Sequence, residues 1–296
     1  MWADSLMEAE AVASHSAAQK LASVQGAQRL LATTRSIQER LAIVFQDKNE
    51  YQKRPIQPNE MPFLFELRVA AALTSMGTPL RYEQGAGVGN STIDFVVDLG
   101  RTWWVELVSL RETEGFKSAT WTAPVQGGEI SGFGLTSDAK DHRQKPEWEM
   151  IKAQQRILAK AFDRDRQQPT KFPVPAGNAV HMILVDARGY LGAGQGDIID
   201  WRQMCFGPDS VPHHSVHCWD NKPIRGLFEP TSPQEGAEML RKRVHFVGFL
   251  CEKDFGPDGL RKSAYYCANP SFFKSSDEVR ELLAEWPLMP DDQRRA

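Results

Sequence analysis

STIDFVVDLG, residues 91–100, runs directly into RTWWVELVSL, residues 101–110. Each half is rich in β-branched and aromatic residues, and Gly100 and Arg101 stand between them. The spacing therefore predicts two strands joined as a hairpin. Two acids interrupt the apolar runs: Asp94 between Ile93 and Phe95, and Glu106 between Val105 and Leu107. An ionised carboxylate in such company is costly unless a cation or hydrogen-bond donors neutralise it. If the strands pair in the simplest way, both acids reach one point. Two carboxylates there would suit a hard divalent cation such as Mg2+.

Working outward, FLFELRVAAALTSMG (residues 63–77) reads as a helix opened by Pro62 and stopped by Gly77, with Glu66 among apolar neighbours. A strand at Leu80–Glu83 and the turn GAGVGN follow. Beyond the hairpin, residues 111–145 are polar and carry Gly115, Gly127, Gly128, Gly132 and Gly134. They read as a long irregular loop, placed to close over a substrate. PEWEMIKAQQRILAKAFDRD (146–165) is expected to be helical and AVHMILVDARG (179–189) a strand. RVHFVGFLCE (243–252) adds a strand, Ser263–Ala268 another, and SSDEVRELLAEW (275–286) a final helix. At the other end, residues 3–50 carry Leu21, Val24, Leu30, Leu31, Ile37, Leu41, Ile43 and Val44 at roughly helical spacing. They predict one or two helices forming a packing or homo-oligomerisation arm, with YQKRPIQPNEMP (51–62) as a linker.

Composition bounds the answer. In 296 residues, 35 Lys and Arg face 38 Asp and Glu, for a net charge of -3; 41% of residues are hydrophobic and 25% charged. Such values exclude wholesale disorder, a collagen repeat and a coiled-coil rod. They also exclude a polybasic protein held to nucleic acid by bulk charge, so any such contact needs a local basic face. Four cysteines with no CxxC pair suit a reducing compartment. No apolar run reaches the ~20 residues that span a bilayer, and the first residues lack a secretory pattern. The expectation is a cytoplasmic protein with no membrane partner.

The order helix, strand, strand, strand, helix, strand, with acids at Glu66, Asp94 and Glu106, resembles the PD-(D/E)XK nuclease-like superfamily, the restriction-endonuclease-like fold. Ser91-Thr92-Ile93-Asp94 resembles the family's "PD" segment, and Glu106-Leu107-Val108 stands where (D/E)-x-K would be. The resemblance covers about residues 62–190. It implies an α/β protein: a 1–55 helical extension, a 56–190 core with a mixed sheet flanked by helices, and a 191–296 elaboration on the same sheet. It further implies hydrolysis of nucleic-acid phosphodiesters, with DNA favoured over RNA. Asp94 and Glu106 would hold Mg2+ or Mn2+, and Glu66 would hold a second cation or orient a metal-bound water. Two positions depart from the pattern: Ile93 replaces proline, and Val108 replaces the lysine that positions the attacking water. Relatives that lack this lysine place its function on the following helix. Lys152, Gln155 and Lys160 are the candidates there, with Lys117 and Lys140 in the loop as further options. Lys152 and Gln155 share one side of a helix, and Lys160 points elsewhere. A nuclease fold without catalysis, acting in nucleic-acid binding or assembly, is the second reading.

Other features are weaker. VPHHSVHCW gathers His213, His214, His217 and Cys218, which invites a structural zinc reading, completed by Cys205 and His245 only through the fold. The plainer reading is a surface loop. Gly192, Gly194 and Gly196 form G-x-G-x-G without a Walker lysine, which fits a flexible loop. Asp186 with Arg188 reads as an ion-paired strand end that could line the same cleft as Asp94. Arg241, Lys242 and Arg243, and Arg261 with Lys262, read as solvated charges at element ends, or phosphate contacts. Trp103 and Trp104 read as core. No G-x-S-x-G or Ser-His-Asp pattern supports a serine hydrolase.

Overall fold

A computed structural model describes residues 2–46, 57–86, 88–124, 130–135, 141–191, 196–252, 255 and 258–290. Six strands form the central sheet: β1 (Leu80–Gly85), β2 (Thr92–Asp98), β3 (Thr102–Arg111), β4 (Ala179–Gly189), β5 (Phe246–Leu250) and β6 (Ala264–Ala268). They lie side by side in chain order. β2 runs antiparallel to both β1 and β3, while β3, β4 and β5 run parallel, and β6 returns antiparallel. The helices are α1 (Trp2–Leu21), α2 (Gln28–Thr33), α3 (Arg35–Gln46), α4 (Met61–Ser75), α5 (Pro146–Leu158), α6 (Ile198–Phe206), α7 (Ala237–Arg243) and α8 (Ser276–Ala284). The parallel β3–β4 pair needs a crossover, and α5 lies within it. The class is mixed α/β. No helix among the described residues is long and apolar enough to cross a membrane.

Period-two alternation divides β3 between two cores. Trp103, Val105 and Leu107 pack with apolar residues of α1 to α4 and of the C-terminal segment. Val108 and Leu110 pack on the other side with Met150, Ala153 and Ile157 of α5, Trp201 and Met204 of α6, and Leu240 of α7. Glu106 shares the parity of this second set. β4 is buried on both sides, which is why it reads as an unbroken apolar run. Trp103, with no exposure, stacks on Phe246 at 6.1 Å and meets Trp286 at 5.1 Å. The 191–296 segment thus adds two strands to the same sheet and closes its first core.

Several elements differ from the expectation. The N-terminal arm has three helices, broken before Gln28 and at Thr34, whose buried hydroxyl donates to the Leu30 carbonyl. Its apolar residues Leu21, Leu30, Ile37 and Leu41 are buried within this chain. Of the expected linker, residues 51–56 lie outside the described residues, and Gln57–Glu60 form a capping turn ahead of α4. The 111–145 stretch holds a helical turn (Glu114–Ala119) and a hairpin (Thr120–Pro124 with Ile130–Leu135). The helix expected over 146–165 stops at Leu158. Phe162–Asp163 then pairs with Gln168–Pro169, and the Phe162 ring packs so closely on Gly236 that a Cβ there would collide with it. That tertiary contact outweighs the helix-forming residues of the segment.

β1 is an interrupted edge. Glu83 takes a left-handed φ of 48° and drops out of the β1–β2 register. Arg29 pairs with its carboxylate at 2.6 Å. Gly26 lies against the Leu80 carbonyl, where a Cβ would collide.

Beneath these packed faces lies a buried charge cluster. Glu10 of α1, fully buried, pairs with Arg68 of α4 at 3.0 Å and with Arg188 of β4. Arg188 also holds Asp186 at 2.7 Å, and Arg68 pairs with Glu252 just past β5. The two guanidinium groups keep the Glu10 carboxyl below its ordinary range despite its burial. Glu10→Gln keeps the side-chain shape but removes the carboxylate that both guanidinium groups share, leaving Asp186 and Glu252 as their counter-charges. We expect a loss of about 1–3 kcal/mol, read as a lower urea midpoint; an unchanged midpoint would show that Glu10 contributes nothing net.

Candidate functional site

The tight turn between β2 and β3 fixes their register. Leu99 donates to the Arg101 carbonyl at 2.8 Å, and Gly100 supplies the positive φ of 82°. Phe95 then pairs with Val105, and one step further along Asp94 faces Glu106. There the backbone ladder ends and carboxylates take over as acceptors. The Leu107 amide donates to Asp94 Oδ2 at 2.7 Å, and the Asp94 amide to Glu106 Oε2 at 3.3 Å.

Glu106 is wholly buried, and two ammonium groups converge on its other oxygen. Lys160 Nζ lies 2.8 Å from Oε1 and Lys171 Nζ 3.1 Å from it. Lys171 also donates to the Thr92 carbonyl at 2.8 Å. Lys160 stands just past the end of α5, so the early stop of that helix is what turns it toward the sheet. Val108 is buried in the second apolar core, so the positive charge reaches the carboxylate from other elements.

Glu66 completes the acidic group from α4. Its Oε2 accepts from the Tyr82 hydroxyl at 2.8 Å. Burial, and then the charge of Asp94, push its carboxyl up to about 7. Asp94 is pushed up to about 6 by burial and by Glu106, against the pull of Lys160. Burial would lower the Lys160 ammonium, but Glu106 and Asp94 outweigh it and raise it. Glu66 therefore senses the other two acids. Yet among the described residues no three His, Cys, Asp or Glu side chains are grouped so as to hold a metal ion.

The remaining candidates fall elsewhere. Lys152 bonds Gln155 at 3.1 Å and lies over the Trp148 ring at 4.5 Å. Gln155 also lines a separate cleft of about 630 Å3 with Phe162, Arg164 and Thr170. Neither contacts the acids, because both sit on the helix proper, whereas the chain reaches Glu106 only after leaving it. Lys117 pairs with Glu114 at 2.8 Å, and Lys140 lies outside the described residues. Asp186 does not line the site; it is held in the buried Arg188 cluster. Arg243 donates to the Phe172 carbonyl, Arg241 to the Glu229 carbonyl, and Lys242 pairs with Glu238. Sequence reasoning missed Lys171 and Tyr82. Lys171 sits in an irregular PTKFPVP segment where no periodicity marks it.

The histidine segment assembles no zinc set. His217 bonds Asp200 at 2.9 Å and approaches Glu147 at 3.9 Å, while His213, His214 and Cys218 are exposed. Cys205 is buried and interacts with Cys267, and His245 stacks on Phe272. Of the glycine loop, residues 192–195 lie outside the described residues; Asp197 after it caps α6 by accepting from Ile199 at 2.7 Å. Comparison with protein-family models, curated proteins and solved structures finds no match to this chain.

The hydrogen bond to Asp200, and then the nearby Glu147 carboxylate, push the His217 ring up from 6.5 to about 9. A raised folded value adds stability that is complete below pH 6.5 and lost as pH climbs through about 9. The urea midpoint should fall across that window, and His217→Gln should flatten the fall. An equally steep fall in the variant would exclude His217 as its source.

Proposed function

We propose that the chain is a metal-dependent phosphodiesterase acting on nucleic acid, more readily on DNA, through a divergent PD-(D/E)XK-like site. One observation carries the reading: Lys160 Nζ lies 2.8 Å from Glu106 Oε1, opposite Asp94. The ammonium group that Val108 cannot supply is thus present, on a different element. The order of α4, three antiparallel strands, α5 and a parallel β4 supports the same reading.

Asp94 and Glu106 are the carboxylates that a hard divalent cation would take. They offer oxygens on facing residues; burial first, and then neighbouring carboxylate charge, raises Glu66 and Asp94, and a bound cation would offset the second of these. Asp94 and Glu106 would hold Mg2+ or Mn2+, with Glu66 behind them. When bound, the ion would activate water and offset charge on the phosphoryl group. The chain's own part is positional. Glu106 anchors Lys160, and Lys160 orients the attacking water and faces the charge that develops on phosphate. The Tyr82 hydroxyl holds Glu66 in place.

A specific observation favours a second reading. Both Glu106 oxygens are already engaged, and Val108 is part of the core. A binding or assembly protein on the same framework would need no more. Supercoiled plasmid with Mg2+ separates the two. The first reading expects nicking that Asp94→Asn abolishes, while Lys160→Met slows it about 10²–10³-fold and keeps the circular dichroism spectrum, Lys171 still pairing with Glu106. Wild-type protein that binds plasmid but never nicks it, with either ion, would refute catalysis.

A further inference from the structure

Lys171 is the outlier of the site. Glu106 Oε1 meets two ammonium groups, hydrogen-bonded to Lys160 and ion-paired with Lys171, although one would neutralise the carboxylate. Lys171 reaches it from a left-handed backbone, φ 56°, which side-chain-bearing residues rarely adopt. Both flanks pin that conformation: the Thr170 amide donates to the Ala161 carbonyl at 3.1 Å, and Phe172 is fully buried with its carbonyl accepting from Arg243 at 3.0 Å. Strain held in place by its surroundings at a charged site is a sign of function. An ammonium group carries three N–H donors. Among the described residues, it donates one hydrogen bond, to the Thr92 carbonyl, and is ion-paired with Glu106, and a quarter (25%) of the side chain is open to solvent.

Resting on the phosphodiesterase reading, we infer that Lys171 is a second, phosphate-binding lysine, whose remaining N–H takes a non-bridging oxygen of the substrate while Lys160 serves the attacking water. Because Lys171 also grips Thr92, two residues from Asp94, its contact would register the phosphate against the strand that carries that acid.

Two readouts test this on the full chain: plasmid nicking with Mg2+, and binding of a fluorescein-labelled DNA duplex with Ca2+ across a salt series. Lys171→Gly keeps the left-handed backbone without strain and removes the amine. It should raise KM about tenfold or more with kcat nearly kept, and lower the slope of log K against log salt by about one. Lys171→Arg should restore the slope, and Lys160→Met should lower kcat with the slope unchanged. If Lys171→Gly fails to fold, Lys171→Asn, which tolerates the same backbone, takes its place. Wild-type KM and salt slope in the variant would overturn the assignment while leaving the nuclease reading intact. A wild-type protein that neither binds nor cuts would overturn both.

Discussion

A carboxylate with no solvent contact must be paid for by charge from elsewhere, and Glu106 sets that demand for the middle of the sheet. Its burial would cost several kcal/mol if left uncompensated. The chain answers with two lysines from one irregular stretch after α5. The helix ends early enough for Lys160 to turn inward. Eleven residues on, the backbone accepts an uncommon conformation so that Lys171 can do the same. Asp94 and Glu106 also take the amides that the β2–β3 ladder leaves free. The acids are thus structural acceptors as well as candidate ligands, which links the hairpin's geometry directly to its chemistry.

The same logic recurs behind α4. That helix carries Glu66 toward the acidic group and Arg68 toward the buried cluster of Glu10, Arg188, Asp186 and Glu252. Two residues apart, they tie the candidate site to α1, to the end of β4 and to the segment after β5. A shift of α1 would be felt at Arg68, and so on the helix that positions Glu66.

Much of this framework is legible in the sequence, and the reasons are local. Alternation in STIDFVVDLG and RTWWVELVSL, with Gly100 between, carries the hairpin and the facing acids. Pro62 and Gly77 bracket α4, and β4 is marked by its continuous apolar run. What is not legible depends on contacts between distant segments. Nothing in PEWEMIKAQQRILAKAFDRD says that Phe162 will seat on Gly236 and end the helix, yet that stop puts Lys160, not Lys152 or Gln155, beside Glu106. Lys171 has no periodic setting at all. Glu10 and Arg68 look like ordinary helix-surface charges until the fold buries them. The histidine segment is hard to read for a related reason: His217 meets two carboxylates, Asp200 and Glu147, that other elements bring to it.

The kink at Glu83 has a consequence beyond the site. An edge strand with a regular row of free amides and carbonyls is a template on which another polypeptide can add a strand. Here the left-handed residue breaks that row, Arg29 covers the break, and the Gly26 turn crowds the Leu80 carbonyl. Growth of the sheet outward from β1, whether into fibrils or into a shared sheet between copies, is sterically discouraged at its first rung.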